Sequence, residues 1–75
     1  MPLSDIAKEV QTMLAELSLQ YAQVPVESLT AEWQFHQPDR DIMQLRKGLD
    51  ELERNQLVVA YTDEAGTGIA YSLAV

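Results

Sequence analysis

The sequence predicts an α+β domain in which three helices precede a C-terminal two-stranded antiparallel hairpin. Two stretches, residues 4–22 and 39–54, carry apolar side chains three and four positions apart, which is typical of a helix lying on a core. Residues 57–75 instead alternate apolar and other side chains around a DEAGTG segment, which is typical of a hairpin. With 75 residues, the chain is expected to form one domain, residues 1–75.

The predicted third helix lies in the segment PDRDIMQLRKGLDELERNQLVV, residues 38–59. Its apolar residues recur at intervals of three, four and three: Ile42, Leu45, Leu49 and Leu52. Pro38 and Asp39 suit the first turn, where a missing N–H is harmless and a carboxylate meets the positive end of the helix dipole. Asn55 stands where a left-handed residue is expected to end the helix.

Gly48 lies in the middle of this predicted helix, where glycine costs about 1 kcal/mol relative to alanine. Its angular position falls at the edge of the apolar stripe. We therefore expect a neighbouring helix or strand to approach the backbone closely at Gly48.

The first predicted helix begins after Ser4, a residue that favours the N-cap position. Its apolar stripe again follows spacings of three and four and consists of Leu3, Ile6, Val10, Met13 and Leu17. Leu14 lies beside this stripe. This pattern predicts a helix that faces the core; the alternative is a stripe wide enough to serve a dimer interface as well.

Residues 24–26, Val-Pro-Val, predict a short extended segment, because proline disfavours helix in the residue before it. Residues 27–35 then predict a short second helix, capped by Ser28 or Thr30. Trp33 and Phe35 are expected in the core rather than in a ligand cage. His36 is the single histidine of a chain without cysteine, so we expect it to make a structural hydrogen bond in a turn and not to bind a metal.

The two predicted strands each place apolar residues on one face. The rows are Leu57, Val59 and Tyr61 in the first strand, and Ile69, Tyr71, Leu73 and Val75 in the second. The two apolar rows lie on the same face of the sheet only if the numbers of two residues that pair across the strands sum to an even value. A slip of one residue would turn every side chain of a strand to the other face. Tyr61 is therefore expected opposite Tyr71 or Ile69, with a loop of about five residues between the strands.

The predicted order of elements is helix, short extended piece, short helix, turn, helix and hairpin, and it resembles a winged helix-turn-helix domain over nearly the whole chain. The residues that carry the resemblance are LRKGLDELERNQLVVAYTDEAGTGIAYSL. The resemblance lies in a third helix with paired leucines (Leu49 and Leu52), a tight turn, an apolar strand, and a loop containing Gly66 and Gly68, the wing, before a closing strand. Asn55 stands where glycine is commoner, and the connection before the third helix is bulkier than usual. The resemblance implies that residues 39–54 form the recognition helix.

The net charge of −7 argues against a generic phosphate-binding surface, yet four of the five basic residues lie in residues 38–56. Three of them, Arg40, Lys47 and Arg54, are spaced seven positions apart on the predicted solvent face of the third helix. Met43 and Gln44 flank this basic line. Such a face could read base edges in a major groove. The charges favour instead a solvated or protein-binding face with i,i+4 ion pairs, because Asp63 and Glu64 would repel phosphate from the wing.

Two functions remain open on this evidence. The first is a non-catalytic protein-interaction or regulatory adaptor, within a transcription-related or phage-related assembly. The second is a sequence-specific DNA-binding regulator, dimeric so that two half-sites add. The sequence offers no nucleophile–base pair, phosphate-binding loop or metal cluster, so we expect neither an enzyme nor a bound cofactor or small-molecule substrate. We further expect a cytoplasmic protein that does not enter a membrane and that binds a protein partner or itself as a homodimer.

Overall fold

A computed structural model describes residues 3–36 and 41–74 of the chain. The elements occur in the order α1 (Asp5–Leu17), β1 (Val24–Pro25), α2 (Val26–His36), α3 (Ile42–Arg54), β2 (Val58–Thr62) and β3 (Gly68–Leu73). The strands form one antiparallel sheet in the order β1-β3-β2. The α+β class with three helices is therefore confirmed, whereas the prediction of two strands is wrong, because β1 is a third strand.

Strand β1 is the short extended segment predicted from Pro25, and it pairs with the edge of β3 that β2 leaves free. Val24 lies opposite Tyr71 and Pro25 opposite Ala70. An edge position suits Pro25, which has no N–H to donate to a further strand. The side chain of Val24 is fully buried, so this edge strand contributes a residue to the core.

Helix α1 begins as predicted but ends earlier. The Ser4 hydroxyl caps it by accepting a hydrogen bond from the Ala7 N–H at 3.2 Å. The helix ends at Leu17, not near residue 22. Leu17 is the last residue of the buried stripe, and Leu19 is 88% exposed. The helix thus ends where further turns would bury no apolar side chain against the core.

Helix α2 begins directly after β1, at Val26. Ser28 and Thr30 lie inside the helix, so the prediction that one of them is the N-cap is wrong. Trp33 is buried as predicted, but Phe35 is 78% exposed, which contradicts the prediction that it joins the core. Two helical positions correspond to a rotation of about 200°, so the face that buries Trp33 turns Phe35 outward. The side chain of His36 and residues 37–40 lie outside the described residues.

Helix α3 is capped by Asp41, whose carboxylate accepts a hydrogen bond from the Met43 N–H at 3.0 Å. At its other end the predicted left-handed conformation of Asn55 is wrong, since Asn55 has φ −89°. Gln56 takes that conformation, with φ 60°. The Leu57 N–H then donates to the Leu52 carbonyl at 2.9 Å, and the Gln56 N–H to the Glu53 carbonyl at 3.0 Å, the hydrogen bonds of a Schellman motif.

The register of the hairpin differs from the predicted one by a single residue. Val58 lies opposite Leu73 and Ala60 opposite Tyr71, so the paired numbers sum to odd values. Val58 is buried, whereas Val59 is 44% exposed, and β2 presents the face opposite to the predicted one. Ile69 is 46% exposed and has no residue opposite it, because the pairing shifts at a bulge between Tyr61 and Thr62. Val75 lies outside the described residues.

The core lies between the helices and one face of the sheet. Its buried members are Ala7, Val10, Met13, Leu14, Leu17, Val24, Leu29, Trp33, Leu45, Leu49, Leu52 and Val58. Five further side chains are half-buried against them: Leu3, Ile6, Leu57, Tyr71 and Leu73. The close approach predicted at Gly48 is confirmed, and the approaching element is α1: a Cβ on Gly48 would lie 2.7 Å from Val10 Cγ2.

Candidate functional site

The outward face of α3 carries four of the five residues that the sequence singled out for contact with a partner. Met43 is 56% exposed, and Gln44, Lys47 and Arg54 are also exposed. Arg40, the fifth, lies outside the described residues. The opposite side of α3 buries Leu45, Leu49 and Leu52, so the amphipathic period alone directs these four side chains to solvent.

The N-terminal end of α3 is held against α2 by one buried aromatic residue. The Trp33 indole donates a hydrogen bond from Nε1 to the Asp41 carbonyl at 3.2 Å. Asp41 is also the N-cap of α3, so this bond ties the start of the helix to the buried side of α2. Phe35 and Met43, both exposed, lie on the two helices joined in this way.

Glu51 interrupts the basic line of α3 in the sequence, but its carboxylate has a structural partner. Its Oε2 atom accepts a hydrogen bond from the Ser4 N–H at 2.8 Å. Ser4 is the N-cap of α1, where a carboxylate also interacts favourably with the helix dipole. Glu51 therefore links the start of α1 to α3, because its carboxylate binds a backbone N–H group of the same domain.

The loop between β2 and β3 is a structured acidic turn. The Asp63 carboxylate accepts hydrogen bonds from the Ala65 N–H at 3.0 Å and the Thr67 N–H at 2.9 Å. Gly66 has φ 82°, a conformation that residues with a Cβ adopt only with strain. The loop carries Asp63 and Glu64 and no basic residue, so it presents fixed negative charge next to the helical half of the domain.

A cleft of about 500 Å³ opens between α2, α3 and this loop. Its lining comes from all three elements and from β3: Val26, Thr30, Ile42, Leu45, Arg46, Leu49, Asp50, Gly66, Thr67, Gly68 and Tyr71. A Cβ on Gly68 would lie 2.7 Å from the Tyr71 hydroxyl oxygen. Glycine at position 68 therefore leaves the space in which the Tyr71 hydroxyl lies.

Tyr71 is the titratable group most affected by this surface. Burial raises the pKa of its phenol, and the carboxylates of Glu53 and Asp50 raise that pKa further. The Arg46 guanidinium lowers it, but by less. Burial is therefore the main cause of the raised pKa, and the nearby carboxylates add to it.

Sequence reasoning identified the exposed face of α3 but missed the cleft beside it. The sequence predicts Tyr71 only as a member of the apolar row of its strand, and the charged residues of α3 only as partners in i,i+4 ion pairs. The glycines at positions 66 and 68 were the available signal, because two glycines in one loop indicate a close backbone approach or an unusual conformation.

The described residues limit the chemistry open to this surface. Among residues 3–36 and 41–74, no group of three or more His, Cys, Asp or Glu side chains is placed to hold a metal ion. Within the same ranges, each helix is too short or too polar to cross a membrane. What the surface offers is a basic and apolar helix face, an acidic loop and a cleft between them.

Comparison with known proteins identifies no relative: the chain matches no protein-family model, no curated protein and no solved structure.

Proposed function

We propose that the chain is a winged-helix module that acts without catalysis, as a protein-interaction or regulatory adaptor in a transcription-related or phage-related assembly. The fold assignment is supported by the element order α1-β1-α2-α3-β2-β3 and by the β1-β3-β2 sheet. In this assignment α3 is the recognition helix and the loop at residues 63–67 is the wing. The adaptor role rests on the charges that surround α3.

The distribution of charge and apolar surface on α3 is the observation that carries the proposal. Its exposed face combines the cations Lys47 and Arg54 with the apolar side chain of Met43. The neighbouring wing carries only Asp63 and Glu64, and the whole chain has a net charge of −7. A protein partner with a mixed-charge surface can satisfy both signs and cover Met43, whereas a polyanion is repelled by the wing and by the chain as a whole.

A sequence-specific DNA-binding regulator is the second candidate. It is favoured by the exposure of Gln44 and Lys47 on one face of α3, since an amide can read adenine and a cation can bind phosphate or guanine. In that role the acidic wing would weaken binding at low salt, where screening is least. The two candidates therefore differ in their expected affinity for duplex DNA.

The first experiment is a salt series of duplex binding with mixed-sequence DNA, using the wild type, Lys47→Ala and the control Lys8→Ala. Lys8 is an exposed cation on α1, so its removal matches the change in charge. We expect little affinity for DNA even at low salt. Tight, salt-sensitive binding that Lys47→Ala weakens, with a salt slope shallower by about one unit, would overturn the adaptor role in favour of DNA binding.

The second experiment seeks the partner with a photo-crosslinking side chain at Met43 and, as the control, at Thr12, which is exposed on α1. We expect a discrete crosslinked protein from Met43 and none from Thr12. Lys47→Glu should abolish the Met43 product while the fold is retained, since an exposed substitution shifts stability by about 0.5 kcal/mol or less. Equal labelling from both positions would contradict a partner surface on α3.

We also propose a cytoplasmic location and a homodimer for this module. The absence of cysteine is consistent with a reducing compartment. A homodimer would bury apolar side chains that so small a domain leaves exposed.

A further inference from the structure

Strand β2 forms one edge of the sheet in the part of the chain that the structure describes. The strand order β1-β3-β2 gives it a single neighbour, β3, because β1 pairs with the other side of β3. Natural edge strands are commonly protected by charged side chains, proline or bulges, since their free backbone groups pair readily with a further strand. The sequence of β2, VVAYT, contains no charged residue and no proline, and its bulge lies only at its end.

The hydrogen bonds of the hairpin show which backbone groups β2 leaves unpaired. The Leu57 carbonyl accepts from the Ala74 N–H at 2.9 Å, so Leu57 faces β3. The Asp63 N–H donates to the Thr67 carbonyl at 3.0 Å, so Asp63 faces β3 as well. The direction of these groups alternates along an antiparallel strand, and the bulge adds its extra residue, Ile69, to β3 and not to β2. The positions that face away from β3 are therefore Val58, Ala60 and Thr62.

We propose that this edge of β2 pairs with the same edge of a second copy of the chain, antiparallel and with Ala60 of the two copies opposite each other. Val58 of each copy then lies opposite Thr62 of the other, so all three outward positions fall on hydrogen-bonded sites of a continuous ladder. The pairing is two-fold symmetric, as in most homodimers. It rests on the homodimer proposed above and assigns that dimer an interface and a register.

The side chains of β2 match this register. Val58 is buried in the core, so Val59 and Tyr61 lie on the opposite face of the sheet, where Val59 is 44% exposed and Tyr61 is half-buried. The register places Val59 of one copy opposite Tyr61 of the other, on non-hydrogen-bonded sites, where side chains approach most closely. An aromatic side chain opposite a β-branched one is a stabilising cross-strand pair, and the symmetry forms it twice.

The charges beside β2 also favour an antiparallel second copy. The net charge of −7 opposes association in general, but this register places Asp63 opposite Leu57 and Glu64 opposite Gln56, so no carboxylate is placed opposite another. Reading back along the chain from Gln56, the first charged residue is Arg54, an exposed cation in the last turn of α3. The acidic end of each strand therefore lies towards a basic residue of the other copy.

The first test detects the register by disulfide formation, since the chain has no cysteine of its own. Val59→Cys and Tyr61→Cys proteins are mixed under mild oxidation and compared with each variant alone on a non-reducing gel. In the mixture the two cysteines lie opposite each other, with Cα atoms about 4.5 Å apart, which a disulfide can bridge. In each variant alone they lie on a diagonal, about 7–8 Å apart, which is too far. We expect at least tenfold faster crosslinking in the mixture, and equal rates would overturn the register.

The second test is Ala60→Pro, which removes an N–H that faces the second copy and keeps the ladder to β3, because proline is tolerated on an edge strand where its nitrogen faces outward. Two hydrogen bonds at the symmetry axis are lost, so sedimentation should show a dimer dissociation constant raised about tenfold or more. The circular dichroism spectrum should be unchanged. A wild type that stays monomeric would overturn the homodimer itself. A wild-type dimer that withstands Ala60→Pro would overturn this interface alone.

Discussion

Gly48 on α3 faces Val10 on α1 so closely that a Cβ at position 48 would lie 2.7 Å from Val10 Cγ2 and 3.3 Å from Ile6 Cγ2. Val10 is fully buried and β-branched, so its side chain has little freedom to move away. The separation of these two helices is therefore set by the absence of a side chain at Gly48.

Gly48→Ala should destabilise the domain despite the better helix propensity of alanine. The propensity gain is about 1 kcal/mol, whereas overpacking of a core contact costs about 1–3 kcal/mol. Urea denaturation of the single variant and of Gly48→Ala combined with Val10→Ala measures the contact. We expect the double variant to lose less than the sum of the single losses, and a stabilisation of about 1 kcal/mol by Gly48→Ala alone would contradict the close approach.

Gly66→Ala should destabilise the domain by about 1–2 kcal/mol through backbone strain in the β2–β3 loop alone, because Gly66 has φ 82° and a Cβ there would meet no atom within 4 Å. Gly66→Asn is the matched variant, since asparagine tolerates the left-handed region better than alanine does. We expect the loss in unfolding free energy to be smaller for asparagine. Equal losses would mean that the side chain and not the conformation is responsible.

Leu49→Ala should cost about 2–5 kcal/mol, because Leu49 is 2% exposed and its truncation leaves a cavity. Met43→Ala on the same helix should change stability by only about 0.5 kcal/mol, since Met43 is largely exposed. Chemical denaturation of both variants compares the buried and exposed faces of α3. A loss below about 1 kcal/mol for Leu49→Ala would show that Leu49 does not pack in the core.

The raised pKa of Tyr71 should make the domain less stable at alkaline pH. The folded state holds the phenolic proton more tightly than the unfolded state, so this contribution is fully present below the ordinary tyrosine pKa of about 10 and is lost as the pH rises through the higher folded value. An NMR titration of the Tyr71 ring measures the pKa directly. Glu53→Gln should lower it and Arg46→Gln should raise it, and an unchanged value in both variants would refute the assigned electrostatic causes.

The predicted homodimer is tested by sedimentation of the wild type over a range of concentrations. The apolar stripe of α1 is used in the core, so the sheet offers the better contact, through the exposed side chains of Val59 and Ile69. We expect Val59→Lys to shift the equilibrium towards monomer, and Leu19→Lys, an exposed change after α1, to leave it unaltered. A wild type that sediments as a monomer throughout would end the dimer hypothesis.

Local patterns in the sequence determined the buried faces of α1 and α3 and the start of α1, whereas the end of α1 and the start of α2 differ from the prediction. The spacing of Leu45, Leu49 and Leu52 placed α3 and its buried face, and the hydroxyl of Ser4 marked the start of α1. The exposure of Met43, Gln44 and Lys47 followed from the same period. These features depend on side chains within one or two turns of each other, so a periodic pattern is sufficient to predict them.

Contacts between distant segments decided the rest. Val24 pairs with Tyr71, and the hairpin register buries Val58 and exposes Val59 in a sheet that packs on the helices. Val58 and Val59 point to opposite faces of β2, so both faces of this strand carry an apolar side chain. The alternation of side chains alone therefore could not predict which face is buried. The cleft that brings Asp50 and Tyr71 to one rim exists only after the hairpin has folded against α3, because the two residues lie on separate elements that only tertiary packing brings together.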